Sequence, residues 1–271
     1  MSYEQYYQIR EQPFSNTPDA RFFFEVDHHA EVLERLMHAV NTMKGLAVVV
    51  GDVGTGKTTL ARRMLDQLDD PQYESALLVI IHSAISAEWL LRRIASQIGI
   101  EQVADEKIGI LTQIFQRRME LHESGRKAVV LIDEANMLQQ RELMEELRGF
   151  LNLEVPGSKL ITFILFGLPE LDAILALDTP LAQRVALKCR LSAFSPGTSK
   201  AYIRHRLKVA GAVREIFPEA MLDQIAQDSM GIPRLINTIC DNVLLEGFLR
   251  KRDTLDVDLV KEVVRDLGLT G

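Results

Sequence analysis

The sequence predicts an α/β protein in which helices cover both faces of a parallel sheet, followed by a small all-helical domain. Up to residue 170, short runs that are apolar at every position alternate with amphipathic helical stretches, as in a parallel sheet buried on both faces. Beyond about residue 196 only helical periodicity is found. We predict an N-terminal arm and helix at 1–45, an α/β core at 46–195 and a helical domain at 196–271.

The composition is that of an ordinary globular protein. The chain has 271 residues, of which 47% are hydrophobic and 25% charged, with a formal net charge of −7; this balance excludes disordered, collagen-like and coiled-coil classes. No apolar run approaches the ~18 residues that cross a bilayer, and the N-terminus lacks the features of a secretory signal. We therefore predict a cytoplasmic protein with no membrane span and with Cys189 and Cys240 reduced.

The elements follow from local periodicity and from turn residues. Apolar runs predict four strands, at 47–50, 76–81, 128–132 and 160–166. Amphipathic stretches predict helices of the first part at 29–43, 57–68, 87–98, 108–123 and 140–151. Helices of the second part are predicted at 199–209, 218–229, 233–249 and 257–267, with breaks at Gly211, Gly231 and Asp253.

A glycine-rich octapeptide joins the first strand to the next helix. Its sequence, GDVGTGKT at 51–58, fits the pattern G-x-x-x-x-G-K-[ST] of a phosphate-binding P-loop, whose glycines let backbone N–H groups point at phosphate oxygens. Lys57 would contact the β- and γ-phosphates, and the Thr58 hydroxyl would complete the Mg²⁺ shell. The residues predicted to bind the nucleotide are Gly51, Asp52, Val53, Gly54, Thr55, Gly56, Lys57, Thr58 and Thr59.

Two adjacent carboxylates end the third apolar strand. We expect this strand to lie beside the P-loop strand, so that Asp133 would hold Mg²⁺ through water and Glu134 would polarise the attacking water. Phosphoryl transfer to a small molecule does not need a glutamate directly after the metal aspartate. The pair therefore favours ATP hydrolysis, with ATP and Mg²⁺ as ligands.

In these motifs the sequence resembles the AAA+ superfamily of P-loop NTPases, and within it the ExeA/GspA-type ATPases of bacterial secretion and pilus assembly. The most specific segments are FGLPEL at 166–171 and GIPR at 231–234. Further matching segments are QPF at 12–14, PDARFF at 18–23, LIDEA at 131–135, QRV at 183–185, YIRHRL at 202–207 and AG at 210–211. A weaker resemblance extends to TniB/TnsC-type transposition ATPases and to origin-recognition ATPases.

The resemblance implies roles for two arginines and an oligomeric state. Arg234 corresponds to the sensor-2 arginine, which reaches from the helical lid to the γ-phosphate of its own subunit. Arg184 corresponds to the arginine finger that a neighbouring subunit donates in trans, with Arg190 as a close alternative. A finger in trans implies a homo-oligomeric ring, assembled in the presence of ATP.

The sequence departs from the family pattern at two positions. The polar γ-phosphate sensor that usually follows the fourth strand is replaced by Leu168, which can neither donate nor accept a hydrogen bond through its side chain. Asn136 stands where secretion ATPases generally have histidine. Longer relatives continue into a membrane span and a periplasmic domain, and because this sequence ends at Gly271 those activities are not carried over.

Three functions stay open on the sequence alone. The first is a ring-forming ATPase that remodels an unknown protein partner of an envelope assembly, peripheral at the inner membrane only through that partner. The second is a DNA-associated matchmaker, which the net charge does not favour. Its candidate basic elements are the clusters at 62–63, 92–93, 117–118 and 250–252. The third is a switch that binds ATP tightly and hydrolyses it poorly, as Leu168 suggests.

Overall fold

The computed structural model describes residues 2–17, 19–152, 154–252 and 254–269. Three residues used in the sequence analysis lie outside these ranges: Pro18 in a family segment, Asp253 as a predicted break, and Gly271 as the last residue. The first elements are α1 (Tyr3–Tyr7), α2 (Asp27–Asn41), β1 (Leu46–Gly51), α3 (Lys57–Gln67), β2 (Tyr73–Val79), α4 (Ala87–Gln97), α5 (Lys107–Glu123) and β3 (Lys127–Asp133). They are followed by α6 (Arg141–Asn152), β4 (Glu154–Val155), β5 (Ser158–Lys159), β6 (Thr162–Gly167), α7 (Leu171–Leu175), α8 (Thr179–Ala182) and β7 (Leu187–Leu191). The remaining helices are α9 (Pro196–Val209), α10 (Glu219–Asp228), α11 (Pro233–Leu249) and α12 (Val257–Asp266).

The central sheet has five parallel strands in the order β2-β3-β6-β1-β7. This confirms the predicted fold class, and the four predicted strands all occur within a few residues of their predicted bounds. β7 was not predicted. Its charged Lys188 and Arg190 are exposed and alternate with buried residues, so it does not form the continuous apolar run by which the other strands are recognised.

Both faces of the sheet are covered by helices. Successive residues of β1 point to opposite faces, so that Val48 and Val50 pack with α4, α5 and α6, whereas Ala47 and Val49 pack with α2 and α3. All six residues of β1 and all six of β6 are buried. The two hydrophobic layers therefore leave only the ends of these strands available for binding.

The neighbour of the P-loop strand differs from our expectation. We expected β3, which ends in Asp133, to lie beside β1. That expectation was wrong: β6 lies between them and pairs with β1 on one side and β3 on the other. The interior position suits β6 because its residues are buried throughout and its backbone groups are paired on both edges.

The chain forms two compact units. One comprises Asp27–Val53 and Lys57–Leu191 and contains the sheet with its helices. The other comprises the described residues of Met1–Val26, Gly54–Gly56 and Ser192–Gly271, and contains α1 and α9 to α12. The segment that we predicted as one arm and helix, 1–45, is thus divided: α2 belongs to the α/β unit, while the residues before it belong to the helical unit.

A buried arginine attaches the N-terminal arm to the helical unit. The Arg206 guanidinium donates to the carbonyls of Pro13 and Ser15, the latter at 3.0 Å, and its Cζ lies 4.8 Å from the centre of the Phe22 ring. The Asn237 amide donates to Asn16 Oδ1 at 3.1 Å. Because these bonds satisfy buried polar groups on both sides, the arm is an integral part of the helical unit.

The described residues contain no helix that combines the length and the apolar character needed to cross a bilayer. Both cysteines are buried and outside any disulfide, and burial raises the pKa of each thiol. A raised pKa disfavours the reactive thiolate.

Candidate phosphate-binding site

The predicted P-loop follows β1 and leads directly into α3. The buried Lys57 ammonium donates to the carbonyls of Gly51 at 2.8 Å and Asp52 at 2.9 Å, which ties the first residue of α3 back to the start of the loop. Gly54 has φ +80°, and a Cβ there would lie 2.7 Å from the Cβ of Arg234 in the same compact unit. Only glycine satisfies both the conformation and the space at this position.

The end of β3 and the start of α3 bring two predicted metal ligands together. The Thr58 hydroxyl donates to Asp133 Oδ2 at 2.7 Å, and the Glu134 N–H donates to Asp133 Oδ1 at 3.0 Å. Both oxygens of this carboxylate are therefore oriented by hydrogen bonds, in a residue that is only 1% exposed. Asp133 is therefore a buried carboxylate whose orientation is fixed, as a metal ligand requires, and not a solvated surface acid.

Glu134 adopts a left-handed backbone conformation, with φ 54° and ψ 37°. A residue with a Cβ is disfavoured in this region, and such strain is concentrated at functional sites. The side chain is half-buried, so Glu134 does not share the full burial of Asp133. The turn thus separates two adjacent carboxylates into an enclosed one and an accessible one.

A side chain that the sequence analysis did not place in the site joins β3 to β6. Asn136 Oδ1 accepts a hydrogen bond from the Leu168 backbone N–H at 3.0 Å. Parallel strands end at the same edge of a sheet, so Gly51, Asp133 and Gly167 all mark one edge. The signal for this contact in the sequence was the joint departure of Asn136 and Leu168 from the family pattern.

The two candidate finger arginines differ in their surroundings within the α/β unit. Arg184 donates to the carbonyl of Arg148, at 3.4 Å, and to Asn152 Oδ1, so its cation lies at the C-terminal end of α6, where the helix dipole favours positive charge. Arg190 is exposed on β7, and its backbone carbonyl forms a hydrogen bond with His28 Nε2 at 2.7 Å.

Arg234 lies in the first turn of α11, in the helical unit. Its backbone N–H donates to the Gly54 carbonyl at 3.3 Å, and its own carbonyl accepts from the Thr238 hydroxyl at 2.9 Å. The residue is exposed. The backbone of the predicted sensor arginine is thus anchored while its guanidinium faces solvent.

Several basic residues that we considered as candidates for contacting DNA form hydrogen bonds or ion pairs with other groups of the same chain. Arg118 is fully buried, donates to the Phe150 carbonyl at 3.1 Å, and has its pKa lowered to about 9 by burial. It was therefore wrong as a surface candidate. Arg92 pairs with Glu88, and the 250–252 cluster contributes ion pairs to Glu246, Glu262 and Asp256.

The residues present fit Mg²⁺ as well as a nucleotide. Mg²⁺ is usually held by one or two protein oxygens together with substrate phosphates and water, and Thr58 with Asp133 supplies one hydroxyl and one carboxylate oxygen in mutual contact. Thr58 and Asp133 would hold the ion, which would supply positive charge that neutralises the phosphates.

Comparison with known proteins agrees with this arrangement. Residues 40–175 match the model of an AAA domain. General secretion pathway protein A of Aeromonas hydrophila is 34% identical over 251 residues, which are 92% of this chain and 45% of that protein. The chain spans less than half the length of the curated relatives it matches.

Solved structures share the fold at low sequence identity. The Aeropyrum pernix ORC2 protein, in ADPNP-ADP complexes, superposes with a TM-score of 0.70 at 19% identity, covering 94% of this chain and 71% of that one. Drosophila ORC bound to DNA gives 0.70 at 16% identity, covering 98% and 66%. Gly51, where the P-loop begins, and Asp133 lie at the same edge of the parallel sheet, at the ends of two strands separated by β6. Together with this arrangement, the AAA domain match and the 34% identity to General secretion pathway protein A show that the chain belongs to the AAA domain family of AAA+ P-loop proteins.

Proposed function

We propose that this protein binds ATP with Mg²⁺ and hydrolyses it. The observation that carries the proposal is the hydrogen-bonded series from Thr58 through Asp133 to Glu134. It links a threonine hydroxyl and a buried carboxylate, which would hold the metal ion, to the backbone of a half-buried glutamate, which would activate water against the phosphate.

Each residue of the site has a distinct task in this proposal. Backbone N–H groups of 51–56 and the start of α3 bind phosphate oxygens, and Lys57 neutralises the β- and γ-phosphates. Thr58 and Asp133 hold the metal ion. Glu134, which follows Asp133 in a left-handed backbone conformation and is less buried, accepts the proton of the attacking water.

We further propose that the protein assembles into a ring and acts on a protein partner of a secretion-type envelope assembly. The support is the similarity to General secretion pathway protein A, which extends over 92% of this chain and so includes both compact units. In this proposal Arg234 senses the γ-phosphate and nucleotide-driven lid motion drives the remodelling. The protein acts in the cytoplasm and reaches the inner membrane only through its partner.

A DNA-associated function is the second candidate, because two of the similar solved structures, Drosophila ORC and Aeropyrum pernix ORC1, are complexes with DNA. The engagement of Arg92, Arg118 and the 250–252 cluster by groups of this chain weighs against a continuous basic track. The ATP-gated switch is the third candidate, since the side chain of Leu168 offers no polar group to phosphate.

The ATPase rate measured against protein concentration, with and without duplex DNA at two salt concentrations, distinguishes the three functions. We expect a specific rate that rises with protein concentration, because a finger in trans completes the site only on assembly, and that is insensitive to DNA. Stimulation by DNA that weakens with salt would favour the DNA-associated function. ATP binding without turnover would favour the switch.

Mixing of variants identifies the arginine that acts in trans. If Arg184 is the finger, Arg184→Ala is expected to hydrolyse ATP slowly by itself and to regain activity when mixed with Lys57→Ala, which offers an intact finger but no site. The same mixture made with Arg190→Ala is the matched comparison. Recovery only in the Arg190→Ala mixture would assign the finger to Arg190 and leave Arg184 as a cap of α6.

A further inference from the structure

The turn that carries Glu134 extends beyond the paired part of β3. The register between β3 and β6 ends at the pair Ile132–Leu165, and the chain then passes through the left-handed Glu134 into a short 3₁₀ turn at Ala135–Met137. Backbone bonds inside the turn, such as Leu138 N–H to the Ala135 carbonyl at 3.0 Å, fix its shape. They do not fix its position against the neighbouring strand.

Asn136 supplies a connection to that strand. Its side chain is 6% exposed, and its Oδ1 accepts the Leu168 N–H one residue beyond the end of β6. The approach is close: a Cβ on Gly167 would lie 3.1 Å from Asn136 Oδ1 and 3.2 Å from its backbone nitrogen. Glycine at 167 therefore allows the turn to lie directly against the end of β6.

The bond does not depend on the identity of the side chain at 168. It uses the backbone N–H of Leu168, which every residue except proline provides. The buried side-chain amide of Asn136 thus lies between the Glu134 turn and the end of β6. Asn136 and Leu168, the two residues that form this bond, are also the two departures from the family pattern.

We propose that Asn136 is a positioning residue that fixes the Glu134 turn to the end of β6 and so holds the water-activating carboxylate in its working place. The expected effect on the rate rests on the proposed hydrolysis, whereas the hydrogen bond between Asn136 and the Leu168 N–H is a property of the fold. Since Asn136 acts on Glu134 and not on phosphate, its loss lowers the turnover number and leaves ATP affinity in place.

The test compares Asn136→Ala with Asn136→Asp, which keeps an oxygen that can accept the Leu168 N–H. We expect Asn136→Ala to reduce kcat between about tenfold and 100-fold, as misplacement of a catalytic group does, with the Kd for ATP within about threefold of wild type. Asn136→Asp is expected to recover most of this loss. Equal loss in both variants, or an unchanged kcat in Asn136→Ala, would overturn the proposal.

A control shows whether loss of any asparagine bond in the α/β unit has the same effect. Asn41 Oδ1 accepts the Tyr73 hydroxyl at 2.7 Å at the opposite end of β2 from the site. We expect Asn41→Ala to keep the wild-type kcat. If Asn41→Ala and Asn136→Ala lower kcat in parallel, general destabilisation explains the effect and the positioning role is lost.

Amide hydrogen exchange tests the link independently of catalysis. The Leu168 N–H is expected to exchange at least about tenfold faster in Asn136→Ala than in wild type, because its acceptor is gone, and to stay protected in Asn136→Asp. If the wild-type protein shows no turnover, the proposed hydrolysis fails while these exchange rates still decide the inference. Unchanged protection at Leu168 in Asn136→Ala would overturn it whatever the ATPase result.

Discussion

Replacement of Lys57 by alanine is expected to abolish nucleotide binding. The ammonium is buried and already bonded to two carbonyls at the start of the loop, so it is held beside the backbone that we propose to bind phosphate. Hydrogen bonds to charged groups contribute about 1.5–3 kcal/mol each, and the loss of two to phosphate weakens binding by about two to four orders of magnitude. Calorimetric titration with ATP and Mg²⁺ measures this loss.

The control for this variant lies at the other end of the same strand. Lys44 is exposed just before β1, so Lys44→Ala removes an equal charge without touching the loop and is expected to bind ATP as wild type does. Thermal melts of both variants show whether the Lys57 contacts to Gly51 and Asp52 also stabilise the fold. Wild-type ATP affinity in Lys57→Ala would remove the P-loop assignment.

Glu134→Gln is expected to retain ATP and to lose turnover. The amide has nearly the same shape as the carboxylate, and glutamine has the same restriction in the left-handed region as glutamate, so the turn is preserved. Only the ability to accept a proton from water is removed, which lowers kcat by about 10²- to 10⁴-fold. Single-turnover hydrolysis and a nucleotide titration separate the two effects.

An exposed acid in the first turn of α6 provides the comparison. Glu142→Gln makes the same change of charge at an exposed position and is expected to leave kcat unaltered. If Glu134→Gln hydrolyses ATP at the wild-type rate, Glu134 has no part in the reaction and another group must activate the water. If it fails to bind ATP, the residue contributes to the fold of the site and not to chemistry alone.

The parts of the fold that depend on local pattern could be predicted from the sequence. β1, β3 and β6 are apolar at nearly every position because both of their faces are covered, and α11 was predicted with the bounds it has. The order of strands could not be predicted in this way. Which strand lies between β1 and β3 depends on pairing between residues far apart in sequence, and local periodicity carries no information about it.

In the candidate site, too, the residues that belong to local motifs could be predicted, and the contacts that lie outside those motifs could not. Glycine, lysine, threonine and the acidic pair occur at spacings that the chemistry requires, and the contact between Thr58 and Asp133 follows from them. The contacts of Asn136 and Arg184 could not be predicted in this way, because no motif specifies their partners. Asn136 contacts the backbone N–H of Leu168, and Arg184 contacts the C-terminal end of α6. From the sequence, Asn136 could be identified only as a departure from the family pattern, and Arg184 only as one of two candidates for the arginine finger.

The short strand β7 covers the outer edge of the P-loop strand. It pairs with β1 from Ala47–Leu187 to Gly51–Leu191 and carries Lys188 and Arg190 on its exposed positions. Without it, the uncharged and β-branched segment Leu46–Gly51 would become an open sheet edge, and such a segment is a template for intermolecular pairing. A charged outer strand of five residues therefore keeps this apolar, uncharged segment from lying at the edge of the sheet.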